Sequence, residues 1–229
     1  MPFSAINGAV DDARPQTGRA IRQRSEQAFG QIMNLSDFVS NVFHRNVDST
    51  MQAAPYLEEP IIAAAGRLVQ CLLNDQKIML CGAGSSTLLS QYFSTLLLHR
   101  YEHDRPSLPA YLLGSETSTL AAIAVDGGYN DIYAKQIRAL GESQDCLVIL
   151  YQGPAATPVI RALQAAHERD MDVILFCSGE EDDARSLLRP EDIELRVNES
   201  SRARATELQL LIIHCLCELI EMELFGHDE

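Results

Sequence analysis

The chain reads as an α/β protein, a three-layer sandwich around a five-stranded parallel sheet with an N-terminal helical extension, and three observations predict this. Five short apolar runs fall between residues 77 and 197 and alternate with stretches of helical periodicity; strands that apolar are buried on both faces. The first run, Lys77 to Cys81, enters the turn Gly82-Ala-Gly-Ser-Ser-Thr87, where glycines let the backbone bend sharply into a helix. Before that strand, residues 27–75 carry apolar side chains at helical spacing.

Taken in order, residues 1–26 form a polar N-terminal tail with Pro2, Pro15 and no sustained apolar period, to which no chemistry is assigned. Residues 27–75 form a helical oligomerisation segment in which Pro55 and Pro60 punctuate two or three helices, and Leu68, Val69, Leu72 and Leu73 make one apolar side. Residues 76–229 hold the α/β core. Its strands are expected at Lys77–Cys81, Ala110–Leu113, Cys146–Leu150, Asp172–Cys177 and Ile193–Val197. Helices are expected from Ser86 to Tyr101, in stretches up to Leu140, from Pro158 to Arg169 and from Ala203 to Leu224. No internal repeat appears, and the acidic run Glu180-Glu-Asp-Asp183 is the one biased segment.

Composition narrows the function classes. The net charge is −14 with pI ≈ 4.8, and no Lys/Arg stripe follows any helix, so direct nucleic-acid binding is excluded. No apolar run reaches the ~20 residues a bilayer span requires, and the start lacks a basic region followed by an apolar one, so a cytoplasmic protein without membrane contact is expected. The six cysteines lie in apolar patterns without metal-ligand spacing, which suits reduced, buried thiols.

The glycine turn carries the chemistry. Free amides at the start of a helix bear partial positive charge and suit a phosphate, and Ser85, Ser86 and Thr87 add hydroxyls beside them. Plain strand-to-helix packing would use the same glycines. Asp126, in Val125-Asp-Gly-Gly128, suits a turn or cap as well as a ligand cleft. Leu224-Phe225 at the end of the last helix suits either a helix anchor or an exposed docking pair.

The order of elements, together with CGAGSS from Cys81, RPSLPA from Arg105, YNDIYAKQIRALG from Tyr129 and RATELQLLIIHCLCELIE from Arg204, resembles the sugar isomerase (SIS) domain family over about Leu57 to Phe225. More narrowly, it resembles the branch that holds bacterial phosphoheptose isomerases and the DnaA initiator-associating (DiaA-type) proteins, and several segments are nearer the latter. The resemblance implies a flavodoxin-like SIS core and a cytoplasmic homotetramer. It further implies sugar-phosphate contacts at Ser85, Ser86, Thr87 and Asp126, and docking of the DnaA initiator at Leu224 and Phe225.

In the isomerases a glutamate base lies four residues beyond a histidine on the helix after the first turn, and a second histidine lies on the last helix. The ungapped register places Tyr92 and Leu96 at the first two positions and His214 at the third. Leucine cannot abstract a proton. The zinc ligands of some relatives correspond to Tyr92, Leu96, Thr206 and His214, a set too poor in donors for the metal. The second phosphate turn corresponds to Tyr151-Gln-Gly-Pro-Ala-Ala156, where Pro154 removes an amide and Ala155 and Ala156 offer no hydroxyl.

The expectation is therefore a non-catalytic adaptor that regulates replication initiation through DnaA, with His214 as the one catalytic remnant, no metal, no cofactor, and at most a weak sugar-phosphate site. Two alternatives stand beside it. One is a working phosphoheptose isomerase acting on sedoheptulose 7-phosphate, and the other a regulatory module that binds a sugar phosphate without turning it over.

Overall fold

The computed structural model describes residues 34–179 and 183–226. The expected tail over residues 1–26 and most of the acidic run at 180–183 lie outside them. The chain divides into two compact units, Met1–Arg45 and Asn46–Glu229. The described part of the first is helical, and the second holds the α/β core.

Helix α1 runs unbroken over Leu35–Leu73, with Pro55 and Pro60 inside it. The expectation of two or three helices fails here for a local reason. Each proline removes one bond to the carbonyl four residues back, at Met51 and Tyr56, and both of those residues are exposed, so water can take the freed acceptors.

The core follows as β1 (Ile78–Gly82), α2 (Ser86–Leu98), β2 (Ala110–Leu112), α3 (Thr117–Asp126), α4 (Ala134–Leu140) and β3 (Cys146–Leu150). It continues through α5 (Thr157–Glu168), β4 (Asp172–Ser178), β5 (Ile193–Val197) and α6 (Arg202–Phe225), with single 3-10 turns at Tyr129–Asp131 and Arg185–Leu187. All pairings are parallel in the order β2-β1-β3-β4-β5. The register sets Ile78 beside both Ala110 and Cys146, and Leu150 beside Phe176. The chain reverses its direction of winding between β1 and β3, and a crevice opens at the carboxyl ends of strands at such a point.

Alternation along the strands sorts the side chains into two clusters. Ile78, Leu80, Val148, Leu150, Ile174 and Phe176 pack under α1, α2 and α6. Met79, Cys81, Leu147, Ile149, Tyr151 and Leu175 pack under α4 and α5. The amino end of the sheet is closed by Asp145, which is fully buried and accepts from Lys77 N at 3.0 Å, Lys77 Nζ at 2.6 Å and Glu142 N at 2.7 Å.

Five of the six cysteines are buried and Cys215 is half-buried. Burial pushes the thiols of Cys71 and Cys217 up to about 12, and those of Cys81 and Cys146 well above the ordinary range. Among the described residues no helix is long and apolar enough to cross a membrane.

Candidate functional site

The glycine turn between β1 and α2 is built by close approach. A Cβ on Gly82 would lie 2.7 Å from Ser90 Oγ and 2.8 Å from the Ser86 backbone, so only glycine lets the first turn of α2 sit this close to the strand. Gly84 has φ of 59° with open space where a side chain would point. The chain then enters α2 with the N–H groups of Gly84 and Ser85 unbonded among the described residues, and the helix dipole adds to their positive character.

The hydroxyls of this turn do different work. Ser85 is exposed, and its side chain caps nothing. Ser86 is buried, and its Oγ has no hydrogen-bond partner; a buried hydroxyl left unpaired costs stability that a ligand would return. Thr87 is turned away from the opening and donates to Gly82 O at 3.0 Å. The same carbonyl accepts from Tyr133 Oη at 2.6 Å. Of the three expected phosphate contacts, Ser85 is exposed, Ser86 is buried with its Oγ unpartnered, and Thr87 holds the strand end.

Asp126 stands apart. It is exposed at the carboxyl end of α3, with no hydrogen bond or ion pair to the turn among the described residues. The partial negative charge of a helix C-terminus makes that place unfavourable for gathering an anion.

The second turn follows β3. Tyr151 is buried in the cluster under α4 and α5, so it does not fill the crevice. Gln152 turns toward α6, donating to Thr206 Oγ1 at 2.7 Å and Gln209 Oε1 at 3.3 Å, while Gln209 Nε2 donates to Tyr151 O at 3.1 Å. Gly153, with φ of 74°, lets the chain bend back toward α5. Sequence reasoning missed this amide chain. Its signal was Gln152 directly after an apolar strand and Gln209 inside an otherwise apolar stretch of α6.

Where α2 meets α6, Tyr92 Oη lies 3.1 Å from His214 Nε2. The His214 ring is flanked edge-on by Tyr92 at a centroid distance of 5.8 Å and tilted against Tyr101 at 5.6 Å. Tyr101 Oη donates to Glu218 Oε1, and burial and that carboxylate push the phenol up to about 12. Leu96 is half-buried and packs on the cluster under α1 and α6. Sequence reasoning found Tyr92 and His214 separately and did not join them.

Below this pair the joint is closed by Arg105. Its Nε donates to Glu221 Oε1 at 2.6 Å, and its other nitrogens donate to Leu96 O at 2.7 Å and Leu97 O at 3.1 Å. Burial raises the Glu221 carboxyl, but the bonds from Arg105 and from Tyr101 N outweigh it and hold it below the usual carboxylate range. Of the expected docking pair, Leu224 packs against the core cluster and Phe225 is exposed beside a cavity of about 250 Å³ lined also by Tyr101, Arg105 and Glu221.

The residues do not fit a zinc ion. Leu96 is a hydrocarbon, Thr206 is engaged with Gln152, and His214 brings the one imidazole. Among the described residues no three His, Cys, Asp or Glu side chains converge.

Comparison with known proteins defines the wider frame. The SIS domain model matches residues 42–178. A phosphoheptose isomerase of Chromohalobacter salexigens is 44% identical over 196 residues, which covers 84% of this chain and 100% of that protein. One from Methylococcus capsulatus is 41% identical over 194 residues, covering 85% and 100%. The solved structure of a phosphoheptose isomerase from Francisella tularensis superposes with a TM-score of 0.79 at 33% identity, covering 83% of this chain and 100% of that one.

These relatives overturn the expectation of a non-catalytic DnaA adaptor. That expectation set Tyr92, Leu96, the second turn at residues 151–156 and the segments nearer the DiaA-type proteins against similarity that runs the length of the phosphoheptose isomerases. With fold, sheet order and near-complete coverage in agreement, the chain belongs to the SIS domain family.

Proposed function

We propose that this protein is a sugar-phosphate isomerase of the phosphoheptose type, interconverting sedoheptulose 7-phosphate and the corresponding aldose phosphate. The observation that carries the reading is the near-full-length similarity to proteins named phosphoheptose isomerase. The open amides of Gly84 and Ser85 and the unpartnered hydroxyl of Ser86 support it as an anion cradle at a helix N-terminus. The test is direct: purified protein is incubated with sedoheptulose 7-phosphate and the aldose product followed by NMR. Product formation that scales with protein concentration and fails with the unphosphorylated sugar is expected.

A second reading, binding without turnover, is favoured by one specific observation, the hydrocarbon at Leu96 beside a second turn poor in hydroxyls. In that case the same protein binds the sugar phosphate in a titration and leaves it chemically unchanged.

We also propose that the chain assembles as a homotetramer. Val47 and Met51 lie one turn apart on α1 and are exposed, and neighbouring apolar side chains of that kind are buried by a partner helix. An apolar groove of about 510 Å³ between residues 50–62 and α6, lined by Leu57, Ile61, Leu211 and Leu219, offers a second surface of the same character. Light scattering on the eluting protein gives the assembly mass, and a monomer at micromolar concentration overturns this proposal.

A further inference from the structure

We propose that Tyr92 and His214 together form the proton-transfer pair of this site, His214 Nε2 as the base and Tyr92 Oη as the acid; the inference rests on the isomerase reading. Three observations carry it. The two atoms are 3.1 Å apart, one from α2 and one from α6. Tyr92 is 39% exposed, so a ligand can reach the pair. The third is position along the helix: from Ser85 to Tyr92 is about 10 Å of rise and about 20° short of two full turns, so both lie on one stripe with exposed Leu88 between them. A phosphate held at Ser85 therefore directs the far end of an extended seven-carbon chain toward Tyr92 and His214.

The neighbours select this pair over others. Leu96, one turn further along the stripe, offers no lone pair. Tyr101 also touches the imidazole, but its hydroxyl is already given to Glu218 and its phenol holds its proton more tightly than usual.

The chemistry balances without a co-reactant. His214 Nε2 takes the proton from C1 of the ketose, and the C1–H electron pair becomes the C1–C2 double bond. The carbonyl pair moves to O2, which takes the Tyr92 hydroxyl proton, giving an enediol between imidazolium and phenolate. Tyr92 then takes the proton from O1, the O1 pair forms the new carbonyl, and the double-bond pair takes the proton of His214 at C2. Both side chains finish as they began.

The experiment follows the reaction of sedoheptulose 7-phosphate in D₂O, using the full chain and the variants His214→Gln and Tyr92→Phe, with circular dichroism to verify folding. Wild-type protein is expected to form the aldose, with deuterium at C2 in the fraction of turnovers in which the proton on His214 exchanges with solvent before its return. His214→Gln should lower kcat about a hundredfold or more and Tyr92→Phe about tenfold or more, with KM nearly unchanged in both because neither side chain holds the phosphate. Full kcat in folded His214→Gln overturns the pair while the isomerase reading stands. Binding of the sugar phosphate with no aldose formed by the wild-type protein overturns both, and leaves binding without turnover.

Discussion

The two ends of α2 are built on opposite principles. At its amino end the amides of Gly84 and Ser85 and the hydroxyl of Ser86 are left without partners in a turn held tight by Gly82. At its carboxyl end Arg105 satisfies the carbonyls of Leu96 and Leu97 and is itself satisfied by Glu221. Every helix exposes four donors at one end and four acceptors at the other. This chain spends side chains on closing the acceptor end and leaves the donor end open. The asymmetry fits the anion cradle proposed for the open end.

Substitutions can break that contrast, and the largest effect is expected at the closed end. Arg105→Ala leaves Glu221 as an uncompensated buried carboxylate, with side-chain exposure of 9% against 3% for Arg105, and frees the Leu96 carbonyl, while that of Leu97 keeps its bond from Leu108 N. Urea denaturation at neutral pH should show a loss of about 3–5 kcal/mol, part of which Arg105→Lys restores. The pH dependence has a definite sign. A carboxyl held below its unfolded value contributes stability above that value, about 4.3 for glutamate, and loses it as pH falls through the folded one. The cost of Arg105→Ala should therefore shrink below about pH 4, and a cost that is constant with pH would contradict the ion-pair account.

Gly82→Ala comes next. The new methyl meets the Ser86 backbone and Ser90 Oγ at under 3 Å, so the turn must move, at about 1–3 kcal/mol. Sugar-phosphate affinity should fall with it, measured by calorimetry.

The smallest stability effect and the sharpest contrast belong to Ser86→Ala. Removing an unpartnered buried hydroxyl should change stability by no more than about 0.5 kcal/mol, while phosphate affinity drops about tenfold for the loss of one charge-assisted bond. A stability loss as large as that of Arg105→Ala would mean that Ser86 serves the fold and not a ligand.

The sheet was legible in the sequence because five apolar runs of strand length can be buried only one way. All five strands lie where that pattern puts them, and CGAGSS correctly announced the turn. The continuity of α1 was not legible, since Pro55 and Pro60 break local rules and the freed carbonyls at exposed Met51 and Tyr56 escape them. The site was half legible. Ser85 and Ser86 open the helix after the glycine turn as their order along the chain requires, but that Thr87 donates to Gly82 O, and that Tyr92 and His214, 122 positions apart, meet, is decided by tertiary packing. The function was misjudged because substitutions at Tyr92, Leu96 and the second turn, with segments nearer the DiaA-type proteins, were weighed above similarity that runs the length of the phosphoheptose isomerases.

The buried thiols have a practical consequence. Cys71, Cys146 and Cys217 sit in the helical layer under α1 and α6, and Cys81 and Cys177 in the layer under α4 and α5. A sulfhydryl reagent can reach any of them only when its own layer opens, so the sequence of alkylation reads out which half of the sandwich loosens first. The molecule thus carries a ready-made pair of internal clocks, one on each side of its sheet.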